Sequence, residues 1–239
     1  MESAKKISNY YVTNKLLGKG SYGSVFLGYK ETTGDFPYAI KIIGVDKIKG
    51  PDLEELKKSV PRELDILLNL DHPNIVKLYE FILSANNLYL VYEYCNGQDL
   101  DKYRRSLENG YLSEKQTLVF MRHICSGFDV LFKKDIIHRD LKPANILIHD
   151  GEGKIADFGT ARKIDKEKLL FQDKMSIIGS PAYMAPEVID PEISHYDDKC
   201  DIWSFGMMIY ELLYRERPWK GVSEYDLLEN QIKDRKSVV

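Results

Sequence analysis

The chain has 239 residues, with 34 Lys and Arg against 37 Asp and Glu, so its formal net charge is −3. A charge so close to zero gives no sign of a polybasic nucleic-acid clamp or of an acidic tail. Hydrophobic residues make up 44% of the chain, which supplies enough apolar material for a sizeable core and excludes disorder as the main state. The length predicts one large domain or two lobes.

The three cysteines, Cys95, Cys125 and Cys200, are widely spaced and odd in number. They argue against a disulfide framework, show no C-x-x-C spacing for a metal, and fit a reducing compartment. The N-terminal residues lack the apolar core of a secretory signal, and no run reaches the roughly 18 apolar residues of a membrane span. We therefore expect a cytoplasmic protein without a membrane span, and a nuclear location stays open.

The first part of the chain has the composition of β-strands. Five runs rich in β-branched and aromatic residues predict strands at 10–17, 24–29, 38–43, 75–83 and 87–94. Between the third and fourth runs, residues 52–70 carry apolar side chains at helical spacing, interrupted by Pro61. The proline either kinks this helix or stands in the first turn of a shorter one that carries Glu63.

The pattern changes to long helices after residue 95. Ser113-x-x-Gln116 is a capping-box pattern and predicts a helix over 113–134. Its core-facing stripe is expected at Leu118, Met121, Cys125, Phe128 and Phe132. Residues 201–214 are apolar on nearly every side, which predicts a core helix surrounded by others, and 223–233 predict a short helix.

The order of these elements predicts an α+β chain with two lobes. The strand-rich lobe would be a small antiparallel β-sheet with one main helix, residues 1–94. The helical lobe would be residues 99–239, with the joint at 95–98.

A glycine motif lies between the first two predicted strands, Gly18-x-Gly20-x-x-Gly23. By itself it is a weak signal, because an ordinary glycine-rich turn has the same composition. The dinucleotide-binding fingerprint requires a helix after the glycines, whereas the residues after Gly23 have a strand pattern. The spacing also differs from the G-x-x-x-x-G-K-[ST] loop of nucleotide hydrolases. We therefore expect the motif on a hairpin, where its backbone amides could approach phosphate oxygens closely.

Further motifs follow in a fixed order. They are A-I-K at 39–41, H-R-D-L-K-P-A-N at 138–145, D-F-G at 157–159 and A-P-E at 185–187. Each has an uninformative alternative, such as a solvated edge lysine or surface charge. In this order and spacing, the motifs match those of protein kinases. The chain therefore resembles a eukaryotic protein kinase catalytic domain over about residues 10–233. Lys142 and the segment 179–187 resemble the serine/threonine class, and H-R-D-L-K-P-A-N-I-L-I, A-D-F-G-T-A-R-K-I and G-S-P-A-Y-M-A-P-E-V-I resemble the autophagy-initiating kinase group.

The resemblance implies an enzyme that transfers phosphate from ATP to protein Ser or Thr hydroxyls with Mg²⁺. Asp140 would take the proton of the acceptor hydroxyl, and Lys142 would lie near the γ-phosphate. Asn145 and Asp157 would supply oxygen ligands for Mg²⁺. Lys41, held by an ion pair to Glu63, would neutralise the α- and β-phosphates.

The resemblance also implies a nucleotide pocket. Gly18, Gly20 and Gly23 would cover the phosphates, and Asp99 would meet the ribose. The adenine would lie among Leu17, Val25, Ala39 and Leu147, with Tyr92 behind it and hydrogen bonds to the backbone of Glu93 and Cys95. The same apolar residues could equally be plain core.

Three arginines form the expected receptor for a regulatory phosphate: Arg62, Arg139 and Arg162. Ser176 stands where kinases similar to this one carry the phosphorylated residue, and an activating kinase or a regulatory partner would then act on the enzyme. The alternative is an unmodified loop serine.

Kinases with these motifs continue for several helices beyond the position of Val239, so the resemblance implies a C-terminally truncated helical lobe. The missing part usually includes an arginine that pairs with the glutamate of A-P-E, here Glu187. A rival interpretation is therefore a nucleotide-binding regulatory module or an inactive fragment. Against it, Lys41, Glu63, Asp140, Asn145 and Asp157 are all present. The strand after Gly23 disfavours a dinucleotide oxidoreductase.

Overall fold

The computed structural model describes residues 4–20, 23–32, 37–45, 64, 67–164, 179–190, 192–193, 196–221 and 223–233. The chain divides into two compact units, Met1–Asn96 and Gly97–Val239. The first is built on one β-sheet and the second mostly on helices, which confirms the predicted α+β class and two-lobed organisation. Within the described ranges, no helix is long and apolar enough to cross a membrane.

The first unit contains a six-stranded antiparallel sheet in the order β1-β2-β3-β4-β6-β5. The strands are β1 (Lys5–Ile7), β2 (Tyr10–Gly20), β3 (Gly23–Lys30), β4 (Pro37–Gly44), β5 (Leu78–Leu83) and β6 (Asn87–Glu93). The sequence predicts all of them except β1, whose three residues are too few to show an alternating pattern. The fifth strand begins at Leu78 and not at residue 75, because Ile75 closes a turn by donating its N–H to the carbonyl of His72 over 3.1 Å.

The sheet curls, so that its first strands reach its last ones. The ring of Tyr10 on β2 packs edge-on against Tyr38 on β4, and Tyr38 packs edge-on against Tyr79 on β5, each pair 5.4 Å apart between centroids. Lys5 of β1 donates a hydrogen bond from Nζ to the hydroxyl of Tyr89 on β6, over 3.1 Å. One face of the sheet therefore closes over an apolar core of Ile7, Tyr10, Val12, Ile40, Tyr89 and Val91.

The second unit holds five α-helices within the described ranges: α1 (Leu100–Ser106), α2 (Glu114–Lys133), α3 (Pro186–Ile189), α4 (Lys199–Tyr214) and α5 (Glu224–Lys233). Two small antiparallel pairs complete it. In one, β7 (Ile136–Ile137) pairs with β10 (Arg162–Lys163), and in the other β8 (Ile146–His149) pairs with β9 (Glu152–Ile155). Part of the core lies under α3, α4 and α5, where Val188, Ile189, Cys200 and Leu227 pack with Ile137, Ile164 and Met184.

The capping box of α2 is confirmed. The Ser113 hydroxyl accepts from the N–H of Gln116 over 3.3 Å, and the Gln116 side chain accepts from the N–H of Ser113 over 3.0 Å. The predicted core-facing stripe is wrong, because Leu118 and Phe132 are 52% and 44% exposed. The buried residues are Thr117, Phe120, Ile124, Gly127 and Leu131, which form a second stripe with the same 3–4 spacing, one position away.

Helix α4 differs from the expectation of cover on every side. Ile202 and Tyr214 are more than half exposed, whereas the polar residues Asp201, Ser204 and Glu211 are buried. Apolar composition does not tell which face of such a helix is covered. Here the buried face is the one whose polar groups find hydrogen-bond partners in the second unit.

Candidate active site

A buried carboxylate holds the backbone of the loop that carries the H-R-D motif. Asp201 of α4 is 0% exposed, and its two oxygens accept from the backbone N–H groups of His138 and Arg139 over 2.6 and 2.9 Å. Burial raises the pKa of Asp201, while His138, the two backbone donors and the Arg139 charge oppose that rise. Arg139 itself has a left-handed backbone, φ 66°. The sequence analysis missed this role of Asp201, and an acid inside an otherwise apolar helix was the signal for it.

His138 connects the H-R-D motif to the D-F-G motif. Its buried ring accepts at Nδ1 from the N–H of Asp140 over 3.3 Å, so the neutral ring carries its proton on Nε2 and donates it to the carbonyl of Ala156 over 2.9 Å. The ring also packs edge-on against Phe158, with centroids 5.0 Å apart. The two motifs thus share one rigid contact inside the second unit.

Asp140 has two different carboxylate oxygens. Oδ2 accepts from Lys142 Nζ over 2.8 Å and from Asn145 Nδ2 over 2.9 Å. Oδ1 is buried and has no hydrogen-bond partner among the described residues. Lys142 Nζ also donates to the hydroxyl of Ser180 over 2.7 Å, which ties the segment before A-P-E to this loop. A fixed carboxylate with one vacant acceptor atom is suited to receive a proton from a hydroxyl group.

Asn145 and Asp157 lie at the open end of the β8–β9 hairpin. Ile146 pairs with Ile155 in the first step of the hairpin, and the N–H of Ala156 donates to the carbonyl of Asn145 over 2.9 Å. The side-chain amide of Asn145 donates to the Asp140 carbonyl over 2.8 Å, which leaves its oxygen for another partner. An amide oxygen and a carboxylate are the hard ligands that Mg²⁺ prefers, so these two residues fit such an ion.

Two of the three predicted phosphate-receiving arginines meet near one tyrosine. The Arg139 guanidinium donates from Nε to the carbonyl of Thr160 over 2.6 Å and also hydrogen-bonds the Tyr196 hydroxyl. Burial raises the pKa of Tyr196, and the charges of Arg139 and Arg162 counteract it. Arg162 pairs with Ile137 between β10 and β7, which fixes its backbone close to the H-R-D motif.

A second network, which the sequence analysis missed, holds the segment that leads into A-P-E. The hydroxyl of Tyr183 donates to Glu211 of α4, and the pKa of this tyrosine is raised by burial and by that carboxylate. Arg104 of α1 bonds Asp101 over 2.8 Å and Glu211 over 3.4 Å. In the sequence, Tyr183 stands out only as part of a motif. Its partner Glu211 lies 28 positions later, and no local spacing connects the two residues.

Gly179 brings two backbones into contact next to Asp140. Its φ is 125°, a left-handed conformation that strongly favours glycine. A Cβ atom at this position would lie 2.2 Å from the carbonyl oxygen of Arg139. The main chain before A-P-E therefore packs directly on the main chain of the H-R-D loop.

The glycine hairpin of the first unit is confirmed between β2 and β3, where Gly18 pairs with Val25 and Gly20 with Gly23. A Cβ atom on Gly23 would lie 2.1 Å from the Ile42 carbonyl oxygen, so the close approach of β4 requires this glycine. A Cβ atom on Gly18 would meet no atom within 4 Å. Among the described residues, no contact requires a glycine at position 18, and the space beside it is open.

The strand register places four of the predicted nucleotide residues on one face of the sheet. Val25 pairs with Lys41, and Ala39 pairs with Tyr92, so these four side chains share a face. Lys41 is 6% exposed, which rules out the alternative of a solvated edge lysine. Leu17 lies at an irregularity of the β2–β3 register, between Leu16 and Gly18.

The remaining predicted nucleotide residues are divided between the two units. In the first unit, β6 ends at Glu93, whose N–H donates to the Lys77 carbonyl over 2.8 Å, and half-buried Cys95 follows. In the second unit, Asp99 forms an isolated bridge with Leu147. The Asp99 carboxylate caps α1 by accepting from the N–H of Lys102 over 2.8 Å, so part of its hydrogen-bonding capacity is already in use.

Four predicted positions lie outside the described residues. They are Pro61, Arg62, Glu63 and Ser176. Their expected roles stay predictions.

The family model described as Protein kinase domain matches residues 11–239. Serine/threonine-protein kinase ATG1c of Arabidopsis thaliana is 36% identical over 227 residues, which cover 93% of this chain and 29% of the relative. Serine/threonine-protein kinase ULK1 of Homo sapiens is 39% identical over 222 residues, which cover 89% of this chain and 20% of the relative. Calcium-dependent protein kinase 5 of Plasmodium berghei (strain Anka) is 40% identical over 224 residues, which cover 92% and 37%.

This chain therefore spans between 20% and 37% of the length of these relatives. Relatives with different names match at similar identity, as expected for motif strings that several subfamilies share. The family match covers nearly the whole chain. In the second unit, hydrogen bonds join Asp140 to Lys142 and Asn145. The chain belongs to the protein kinase domain family, in its serine/threonine class.

Proposed function

We propose that this domain transfers the γ-phosphate of ATP to serine or threonine hydroxyls of protein substrates, with Mg²⁺ as the metal ion. The observation that carries the proposal is the state of Asp140. Its Oδ2 is held by Lys142 and Asn145, while its buried Oδ1 has no partner among the described residues. An acceptor hydroxyl that donates to Oδ1 would fill the vacant position and be aligned for transfer.

In the proposed reaction, the acceptor oxygen forms a bond to the γ-phosphorus, and the bond between that phosphorus and the ADP oxygen breaks. The hydroxyl proton goes to Asp140. Lys142 Nζ lies 2.8 Å from Asp140 Oδ2. Its positive charge would stabilise the negative charge of the phosphoryl group during transfer. Asn145 and Asp157 would hold Mg²⁺, which would neutralise phosphate oxygens.

For the first unit, we propose that its residues bind the nucleotide. Lys41 is a nearly buried cation on the face that also presents Val25, Ala39 and Tyr92, and its ammonium would contact the phosphates of the nucleotide. Gly18 leaves its backbone open to a close ligand. The backbone of Glu93 and Cys95 would bond the base.

The experiment is phosphotransfer from labelled ATP to a generic basic protein, with residues 1–239 as the enzyme. We expect transfer that requires Mg²⁺ and stops when EDTA removes it. Asp157→Ala should reduce transfer at least a hundredfold, because one of the two metal ligands is lost. ATP binding is measured separately by thermal shift.

A matched control is Asp135→Ala, which removes a carboxylate of the same unit outside the D-F-G motif and should keep transfer within a few-fold of the unchanged chain. ATP binding without transfer by the unchanged chain would contradict the proposal and support a nucleotide-binding regulatory module. Transfer that survives EDTA would contradict the role of the metal ion.

We also propose that phosphorylation of Ser176 activates the enzyme. Support comes from Arg139 and Arg162, which both act on Tyr196 and form a positive site beside the H-R-D loop. After preincubation with ATP, or with an activating kinase, we expect Ser176→Ala to be at least tenfold less active than the unchanged chain. Thr160→Ser is the control: it changes the residue directly after D-F-G but keeps its hydroxyl, and its activity should stay close to that of the unchanged chain. Full activity of Ser176→Ala would contradict the proposal.

A further inference from the structure

A cavity of about 450 Å³ lies in the first unit, between β1 and the turn that joins β5 to β6. It is formed because the sheet curls without closing, so a gap remains between its first strand and its last hairpin. We call this gap the seam. It is lined by Lys5, Lys6, Ile7, Ser8, Ile82, Ser84, Ala85, Asn86, Asn87 and Tyr89. Its volume is within the roughly 300–1,000 Å³ range of ligand sites.

One side of the seam is the backbone edge of a strand. Side chains of a strand alternate between faces, yet the four consecutive residues from Lys5 to Ser8 all line the cavity, so the main chain itself borders it. Strand β1 pairs with β2 alone among the described strands, which leaves its other edge without a ladder. Three residues present an edge of about 10 Å, enough for a short extended segment to pair with.

The charge of the seam is positive. Two lysines line it, and none of the described residues that line it is acidic. Lys6 is neutralised by Glu31, with 2.7 Å between Nζ and Oε1. Lys5 has no ion-pair partner among the described residues, and its Nζ is held by the Tyr89 hydroxyl and lies 5.7 Å from the centre of that ring. The Tyr89 hydroxyl thus holds this ammonium beside the seam, where no described carboxylate pairs with it.

The seam also contains apolar surface. Ile7, Ile82 and Tyr89 belong to the core face or pack against it, and each contributes to the lining of the cavity. A strand that pairs with β1 points alternate side chains to the same face. The set on the core face could contact these apolar residues, and a carboxylate of that same set could reach Lys5, because Lys5 and Ile7 lie on one face of β1.

We propose that the seam is a docking site for an extended acidic segment of a partner protein, which pairs with the free edge of β1 and places a carboxylate beside Lys5. The positive charge without lining acids selects an anionic segment, and the strand edge selects a peptide over a small anion. This site is separate from the residues assigned to phosphotransfer. Its test needs only binding, so it does not depend on the proposed activity.

The experiment uses residues 1–239 and a fluorescein-labelled nine-residue peptide in which two Glu alternate with two Ile, so that each face of the extended peptide carries both residue types; binding is followed by anisotropy. The matched peptide carries Gln in place of every Glu. We expect the Glu peptide to bind at least tenfold more tightly than the Gln peptide, and its binding to weaken with added salt. Lys5→Glu should weaken binding of the Glu peptide at least tenfold.

Lys15→Glu is the matched control, because Lys15 is an exposed lysine of β2 that does not line the seam. It should bind within twofold of the unchanged chain. Lys5→Met keeps the aliphatic stem without the charge and serves as a second variant if Lys5→Glu lowers the melting temperature. Equal binding of the two peptides, or unchanged binding by a folded Lys5 variant, would overturn the proposal. Displacement of the peptide by inorganic phosphate at equal concentration would also overturn it, in favour of a simple anion site.

Discussion

Replacing Asp201 by alanine should lower the free energy of unfolding by about 2–5 kcal/mol. The variant leaves the N–H groups of His138 and Arg139 without their acceptor, and each unsatisfied buried group costs about 1–3 kcal/mol. Urea unfolding followed by circular dichroism measures the change. Catalysis should fall as well, since these two residues directly precede Asp140, although Asp201 itself touches no reacting atom.

The control for Asp201 is Asp129→Ala. The Asp129 carboxylate is 56% exposed and pairs with Lys133 on the surface of α2, so its loss should cost no more than about 0.5 kcal/mol. Asp201→Asn should fall between the two, because one of its oxygens remains as an acceptor. A loss below about 1 kcal/mol for Asp201→Ala would show that the two backbone N–H groups find other partners.

Replacing Asp140 by asparagine should lower kcat by roughly 10²–10⁴-fold, because an amide cannot take the proton of the acceptor hydroxyl. The substitution keeps the size of the side chain, so it can still bond Lys142 or Asn145. ATP binding should therefore persist. Initial rates at saturating ATP measure kcat, and the thermal shift with ATP measures binding.

The control for Asp140 is Asp150→Asn, the same chemical change at the exposed turn between β8 and β9. It should leave kcat within twofold. If Asp140→Asn keeps kcat within tenfold of the unchanged chain, proton transfer to this carboxylate is not part of the rate-limiting chemistry, and the assignment of Asp140 as the base is wrong.

Features encoded over a few neighbouring residues are predicted well from the sequence. The strand after Gly23 is enough to place the glycine motif on a hairpin, and Ser113 with Gln116 marks the start of α2 to within one residue. The H-R-D-L-K-P-A-N string brings Asp140, Lys142 and Asn145 together because all three lie within six residues of one loop. Such features need no knowledge of the rest of the chain.

Features that depend on distant partners are predicted poorly. Two stripes of α2 have the same spacing, and packing against β9, β7 and α4 decides which one is buried. At β9 the N–H of Gly153 donates to His123 over 3.2 Å. Asp201 acts on residues more than 60 positions earlier in the sequence. The strand β1 is recognisable only from its pairing with β2, because its three residues show no pattern of their own.

The contact at Gly179 has a mechanical consequence. No side chain lies between this residue and the carbonyl of Arg139, so a displacement of the main chain before A-P-E is passed directly to the residue next to Asp140. Side chains that change rotamer would absorb such a displacement, whereas two backbones in contact cannot. This glycine therefore works as a stiff joint. Any larger residue here would separate the segment from the Arg139 carbonyl and weaken the transmission of force to the neighbouring Asp140.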